Sequence, residues 1–314
     1  MKNIVLAFCS LFLITTSTTA KTVVYKEEAQ VIKCTDITLY GTLLVPADAK
    51  SSSLAIIIAG SGPTDRNGNN PYMANDHLKK LAQAISKEGI ASFRYDKRSI
   101  GESKSDKINE TNLRFTEDYV NDVKAIIEYF RKDKRFTKII LLGHSEGSTI
   151  GALASTAADA YVSIAGPGRK ADDILKEQLK AYPTIYDDAV KIMDSLNQDY
   201  TVQKVPPALM SVFRPSVQSY VKSWFKINPI DAVHALTIPI LVLQGTSDLQ
   251  VGVKDAELIA AANKNARLTM IPKMNHIFVE INGDEQANKD SYTNASLPIA
   301  PLLSNAIVQF IKAL

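Results

Sequence analysis

The sequence predicts an α/β fold, a mainly parallel, doubly wound sheet with a helical cap inserted into it. Three observations predict it. Short continuous apolar runs such as Leu54-Ala55-Ile56-Ile57-Ile58-Ala59 read as strands buried on both faces, which is the condition of a parallel sheet. These runs alternate with stretches of helical spacing, the rhythm of repeated βαβ units. Between Gly166 and about Lys226 the alternation stops and the spacing is helical throughout.

The first residues stand apart. Met1-Lys2-Asn3 is a short basic start, Ile4 to Ile14 is almost wholly apolar, and Thr15 to Ala20 is small and polar. This pattern predicts an export signal over residues 1–20, cleaved after Ala20, leaving residues 21–314 as the folded unit in the periplasm or outside the cell. The apolar run is about half of the roughly 20 residues that span a bilayer, so no stable membrane anchor is expected. Cys9 lacks the flanking residues of a lipidation site. Once the signal is removed Cys34 is the only cysteine, so no intrachain disulfide can form and the core must supply the stability. Cys34 is expected as a buried strand residue.

With 314 residues, 46% of them hydrophobic, the chain can bury a substantial core. Its net charge of +3 comes from scattered basic residues, which excludes an electrostatic footprint for nucleic acid and favours small-molecule chemistry.

After the signal, Thr22 to Cys34 and Ile37 to Val45 are rich in β-branched residues and predict an antiparallel pair at a sheet edge. Leu54 to Ala59 is the first parallel strand. A glycine-rich loop follows, then a helix over Asp76 to Glu88, with Leu78, Leu81, Ala82 and Ile85 on one face and Gly89 as its stop. Further strands are predicted at 90–95, 138–143, 161–165, 239–244 and 267–271. The helices between and after them are predicted at 117–132, 145–157, 254–263 and 298–312. The cap, about 166–226, should hold helices over 171–181, 185–198 and 207–224, the last broken at Pro215. An all-helical insertion of this kind suits a lid over a site.

The most informative string is Gly143-His144-Ser145-Glu146-Gly147, because it follows a predicted strand and opens a predicted helix. In that context G-x-S-x-G lifts a serine hydroxyl above the sheet on a sharp turn, with the positive end of a helix beneath it. Ser145 is therefore the candidate nucleophile. A serine alcohol needs a general base and a group that orients the base. Of the four histidines, His77 lies in a helix, His144 lies inside the turn, and His234 precedes a strand, at the wrong end of the sheet. His276 lies just past the carboxyl end of the last predicted strand, where open α/β sheets bind ligands. Asp248, in the loop Gly245-Thr246-Ser247-Asp248, is the candidate acid, with Asp172 and Asp173 as alternatives. Serine, aspartate and histidine then occur in that order along the chain.

The loop Gly60-Ser61-Gly62-Pro63-Thr64-Asp65-Arg66-Asn67-Gly68 has neither the third glycine of a dinucleotide loop nor the Gly-Lys-Ser/Thr of a phosphate loop. It suits an oxyanion hole, in which a backbone N–H of Ser61 or Gly62 faces that of Glu146. No metal-ligand spacing occurs and no cofactor is called for. Arg94 to Arg98 reads as a scaffold turn.

These strings together resemble the α/β-hydrolase superfamily, in its bacterial esterase and serine aminopeptidase-like group. The likeness spans about residues 35–313 and rests on 143–147, on Arg94-Tyr95-Asp96-Lys97-Arg98-Ser99-Ile100-Gly101-Glu102-Ser103, on Gln244 to Asp248, and on Asn275-His276. It implies the α/β-hydrolase fold, a Ser145-His276-Asp248 triad and hydrolysis of a small-molecule ester. The chain departs from the family in having Ser99 where glycine is usual. A peptidase or amidase, an acyltransferase, and a non-catalytic binding protein on the same scaffold are the other readings. An aminopeptidase would need an anionic group for the free amine, and Glu146, Asp172 or Asp173 could supply it.

Overall fold

The computed structural model describes residues 24–47 and 52–314. The expected export signal lies outside them. β1 (Tyr25–Lys33) and β2 (Thr38–Pro46) form an antiparallel pair. Then follow β3 (Ser52–Ile58), α1 (His77–Ser86), β4 (Ala91–Tyr95), α2 (Asn121–Arg131), β5 (Phe136–His144), α3 (Glu146–Ala154) and β6 (Ala160–Ile164). The inserted segment carries α4 (Ala171–Leu179), α5 (Pro183–Asn197), α6 (Met210–Phe213) and α7 (Gln218–Phe225). After it come α8 (Pro229–His234), β7 (Ile240–Gly245), α9 (Val253–Ala261), β8 (Ala266–Ile271), α10 (Glu285–Ser291) and α11 (Pro301–Lys312).

The strands make one sheet in the order β1-β2-β4-β3-β5-β6-β7-β8, with β2 antiparallel to β4 and every pairing from β4 to β8 parallel. The chain steps from β3 outward to β4, then returns to the other side of β3 as β5. The sheet therefore reverses direction between β3 and β5, and the loops leaving their carboxyl ends diverge to leave a crevice.

Central strands are apolar on both faces because helices cover both. Leu54 to Ile58 are at most 1% exposed. One face packs against α2, α3 and α9 through residues such as Ile126, Ile150 and Ile259, the other against α1 and α11 through Leu81 and Ile307. Each such side chain contributes roughly 1.5–3 kcal/mol by leaving water.

The inserted segment has an apolar cluster of its own, including Met193, Leu196, Phe213, Val221 and Phe225. Pro183, Pro207 and Pro215 each open a helical turn, where a missing N–H costs nothing. Arg214 is extended at ψ 146°, as a residue before proline must be, and this separates α6 from α7.

The structure adds α8 and α10, which sequence periodicity did not predict because each is under eight residues. It also replaces the start of the helix expected from 117 by a π-helical turn, Phe115–Val120, before α2. Cys34 lies just past β1 and is half-buried rather than a buried strand residue. That partial burial, with the Asp122 carboxylate nearby, still pushes the thiol up to about 12, so it stays protonated and inert. Among the described residues, no helix is long and apolar enough to cross a membrane.

Candidate active site

Ser145 sits between β5 and α3 with φ 55° and ψ −124°, a conformation side-chain-bearing residues avoid. Strain of this kind costs about 1–3 kcal/mol and persists only where the surroundings enforce it. Ser145 N–H donates to Ile164 O at 3.0 Å, and Ser145 O accepts from Ser148 N–H at 2.9 Å. The glycines two positions to either side are required by contact. A Cβ on Gly143 would strike the backbone of Gly147, and one on Gly147 would strike the carbonyl of Ile58 on β3. With α3 packed this close, Ser145 is half-buried at the head of the helix while His144 and Glu146 are buried.

Asp248 and His276 come from the loops after β7 and β8, which are neighbours in the sheet. Thr246 N–H donates to Ile271 O, and Ser247 N–H to Met274 O, so the two loops are stitched together. His276 Nδ1 donates to Asp248 Oδ2 at 2.8 Å, with both side chains almost wholly buried. The imidazole proton is thus committed to Nδ1, leaving Nε2 with its lone pair. Asn275 shapes the turn that carries His276: its Oδ1 accepts from the N–H of Ile277 and Val279, and its Nδ2 donates to Asn288 and Ser291 on α10.

Beside His276, the buried His144 donates from Nε2 to the His276 carbonyl at 2.9 Å. His77, on α1, bonds Asn75 Oδ1 through Nδ1 at 2.8 Å. With both hydrogens directed outward, the facing nitrogens, His77 Nε2 and His144 Nδ1, meet at 3.4 Å as two lone pairs. Burial pushes His77 down to about 3 and His144 well below the usual histidine range, so both rings stay neutral near neutrality.

The glycine-rich loop leaves β3 directly alongside the serine. A Cβ on Gly60 would lie 3.0 Å from Ser145 Cβ. Among the described residues, none accepts a hydrogen bond from the N–H of Ser61, Gly62 or Glu146. Asp65 Oδ1 holds the loop's turn by accepting from the N–H of Asn67 and Asn69.

The scaffold reading of 94–98 is right for three of its charged residues. Arg94 donates from Nε to Asn67 Oδ1 at 3.1 Å. Asp96 accepts from the Arg66 backbone at 2.8 Å and from its guanidinium at 2.6 Å, and also from the N–H of Glu102. Arg98 binds Asp122 through two parallel bonds and Asp118 through a third. Lys97 is the residue that sequence reasoning missed. Its Nζ donates to Gly60 O at 2.6 Å and to Glu146 Oε1 at 2.9 Å, in a pair that is 3% and 2% exposed. The sequence carries no signal that sets Lys97 apart from its charged neighbours, because its burial comes from the packing of β3, β4 and β5.

That ion pair corrects one expectation. The Glu146 carboxylate is turned inward onto Lys97 and cannot receive a substrate amine. Asp173 is exposed on α4, whereas Asp172 is buried, with Oδ2 bonded to Asn197 and Oδ1 without a partner among the described residues. Neither stands against His276, which is bonded to Asp248. No group of three or more His, Cys, Asp or Glu among the described residues is placed to hold a metal ion.

Comparison with known proteins bears on the fold and on the kind of protein this chain resembles. The family described as serine aminopeptidase, S33, matches residues 75–223. Esterase EstD of Thermotoga maritima is 25% identical over 255 residues, covering 78% of this chain and 59% of that protein. The chain thus spans about three-fifths of that relative's length. Among solved structures, Est1E from Butyrivibrio proteoclasticus with ferulic acid bound superposes with TM-score 0.63 at 19% identity, over 91% of this chain and 98% of that one. A proline iminopeptidase of Mycobacterium smegmatis gives 0.60 at 16% identity, with the same coverage of 91% and 98%. At such identities these two are likenesses of fold. By its sheet order and by the turn that carries Ser145 the chain has the α/β-hydrolase fold, and these matches make it similar to the group shared by esterases and serine aminopeptidases.

Proposed function

We propose that the protein is a serine hydrolase that cleaves carboxylic esters by two-step acyl transfer through Ser145, His276 and Asp248. The observation that carries this is the 2.8 Å bond from His276 Nδ1 to Asp248, made at the same end of the sheet as the strained turn of Ser145. Nε2 of His276 takes the proton from Ser145 Oγ as that oxygen attacks the ester carbonyl. The N–H groups of Glu146 and of Ser61 or Gly62 hold the oxyanion. The proton passes to the departing alcohol, water repeats the sequence on the acyl-enzyme, and the carboxylic acid leaves. Asp248 steadies the imidazolium without taking its proton.

Ester rather than amide hydrolysis is supported by the relatives named as esterases and by the withdrawal of Glu146 into its ion pair. A peptidase reading draws on the description of the matching family and on the unpartnered oxygen of Asp172. Export by residues 1–20, with the mature chain beginning at Lys21, belongs to the same proposal; N-terminal sequencing of protein from the periplasm or medium tests it.

Labelling with a fluorophosphonate probe tests the central step. Wild type should react and Ser145→Ala should not; equal labelling of both, or none where control enzymes react, would overturn the proposal. Chromogenic esters set against aminoacyl amides separate the two readings, since faster turnover of the amides would favour the peptidase.

A further inference from the structure

A buried lysine and glutamate are expensive to keep out of water, and an apolar pair of similar volume would fill the same space at no electrostatic cost. Lys97 and Glu146 are sealed nonetheless, with the Tyr119 ring 5.7 Å from the ammonium and Tyr220 of α7 beside the carboxylate, where burial and that negative charge raise its hydroxyl well above the usual tyrosine range. The two acceptors of Lys97 explain the arrangement. One belongs to Glu146, whose own N–H heads α3 next to Ser145. The other is the carbonyl of Gly60, in the loop that leaves β3 against Ser145 Cβ.

In a trans peptide the C=O and the following N–H point in opposite directions within one rigid plane. The Gly60 carbonyl is drawn inward to an ammonium that is 3% exposed, so the Ser61 N–H is turned outward, and Ser61 is itself exposed beside the half-buried serine. Among the described residues, the next peptide has no comparable tether: the N–H of Gly62 follows the Ser61 carbonyl, which accepts from Thr64 Oγ1 within the loop's own turn. We infer that Lys97 is the positioning residue of the oxyanion hole: one cation fixes the peptide that presents the Ser61 N–H and the side chain of the residue that presents the Glu146 N–H. Ser61, not Gly62, is then the second donor. This rests on the acyl-transfer reading above.

The test compares wild type with Lys97→Met, Lys97→Arg and the double variant Lys97→Met/Glu146→Leu, which leaves no unpaired carboxylate in the core. The readouts are kcat and KM on p-nitrophenyl acetate, the rate of fluorophosphonate inactivation, and thermal unfolding. Loss of an aimed donor should lower kcat and the inactivation rate by about 100-fold, with KM changed by less than about threefold. The double variant should regain the unfolding midpoint without regaining kcat, and Lys97→Arg, which can still reach two acceptors, should regain part of it. Recovery of kcat in the double variant to within about threefold of wild type would overturn the inference, because Lys97 would then only neutralise Glu146. If the Lys97 variants fail to fold, replacing the amide of residue 61 by an ester through α-hydroxy acid incorporation decides the matter. It should cost about 100-fold in kcat, and the same change at residue 62 almost nothing; the reverse order overturns the assignment. A wild type that the probe does not label would instead defeat the parent reading, an outcome visible before any variant is made.

Discussion

The carboxylate of Asp248 divides its two oxygens between His276 and its own loop. Oδ2 accepts from His276 Nδ1 at 2.8 Å and from Gln244 Nε2 at 3.2 Å, whereas Oδ1 accepts from the N–H of Gln250 and Val251 at 2.8 and 3.0 Å. On the proposed mechanism, turn-former and orienting acid are therefore one residue. In Asp248→Asn the remaining oxygen can keep the turn, but the amide nitrogen then faces His276 and forces its proton onto Nε2, where a base is needed. The expected loss is about 10³–10⁴-fold in kcat with the fold retained. Asp248→Ala should in addition lose about 1–3 kcal/mol, because two loop N–H groups lose their acceptor. Ester turnover and urea unfolding measured on both variants check this.

Gly60→Ala probes the gap between the glycine-rich loop and the serine. The added methyl would stand 3.0 Å from Ser145 Cβ and 3.5 Å from His144 Nδ1, so one of the two backbones must shift by a few tenths of an ångström. Misplacement on that scale should cost on the order of 10- to 100-fold in kcat, with only modest loss of stability. A variant with undiminished turnover would show that the loop yields freely and does not hold its donors in place.

Ser99 occupies a left-handed conformation, φ 68°, at the position where the family usually has glycine. Relief of that strain is worth about 1–2 kcal/mol, against roughly 0.5–1 kcal/mol for the added freedom of glycine in the unfolded chain. Ser99→Gly should therefore be neutral to stabilising by about 1 kcal/mol, and Ser99→Val destabilising. Thermal unfolding distinguishes them, and equal destabilisation by both would contradict the account.

His77 and His144 set an acid limit on stability. An unfolded histidine binds a proton below about 6.5, but folded His77 does so only at about 3 and His144 lower than the ordinary range, so protons favour the unfolded chain throughout that window. Stability should fall as pH drops from 6.5 towards 4, by up to about 1.4 kcal/mol per pH unit for each ring. His77→Phe, which can pack beside Phe278 in place of the imidazole, should reduce that slope by about one proton. Urea midpoints at pH 7, 6, 5 and 4 measure it; an unchanged slope would mean that the ring is not held neutral.

What was legible in the sequence was local. The apolar run at 54–59, the helical spacing of Leu78, Leu81, Ala82 and Ile85, and the glycines around Ser145 each carry their meaning within a dozen residues, since strand and helix periods and sharp turns are short-range properties. Short α8 and α10 escaped because fewer than two turns leave no readable period, although α10 supplies Asn288 and Ser291 to the loop of His276. The 94–98 segment reads correctly as scaffold in Arg94, Asp96 and Arg98. Lys97 is indistinguishable from them there, because a charge on a strand-end turn looks the same in sequence whether it meets solvent or a buried carboxylate.

The sequence by itself determined the alternation of elements, the inserted helical segment and the turn that presents Ser145. Only the tertiary structure decided which groups touch: Asp248 with His276, and Lys97 with both Gly60 and Glu146. Those contacts join loops far apart in the chain, and they exist because β3 lies beside both β4 and β5, and β7 beside β8, in parallel register. Strand order arises from how both faces of the sheet are covered by helices, a cooperative property of the whole core that no local stretch of residues contains.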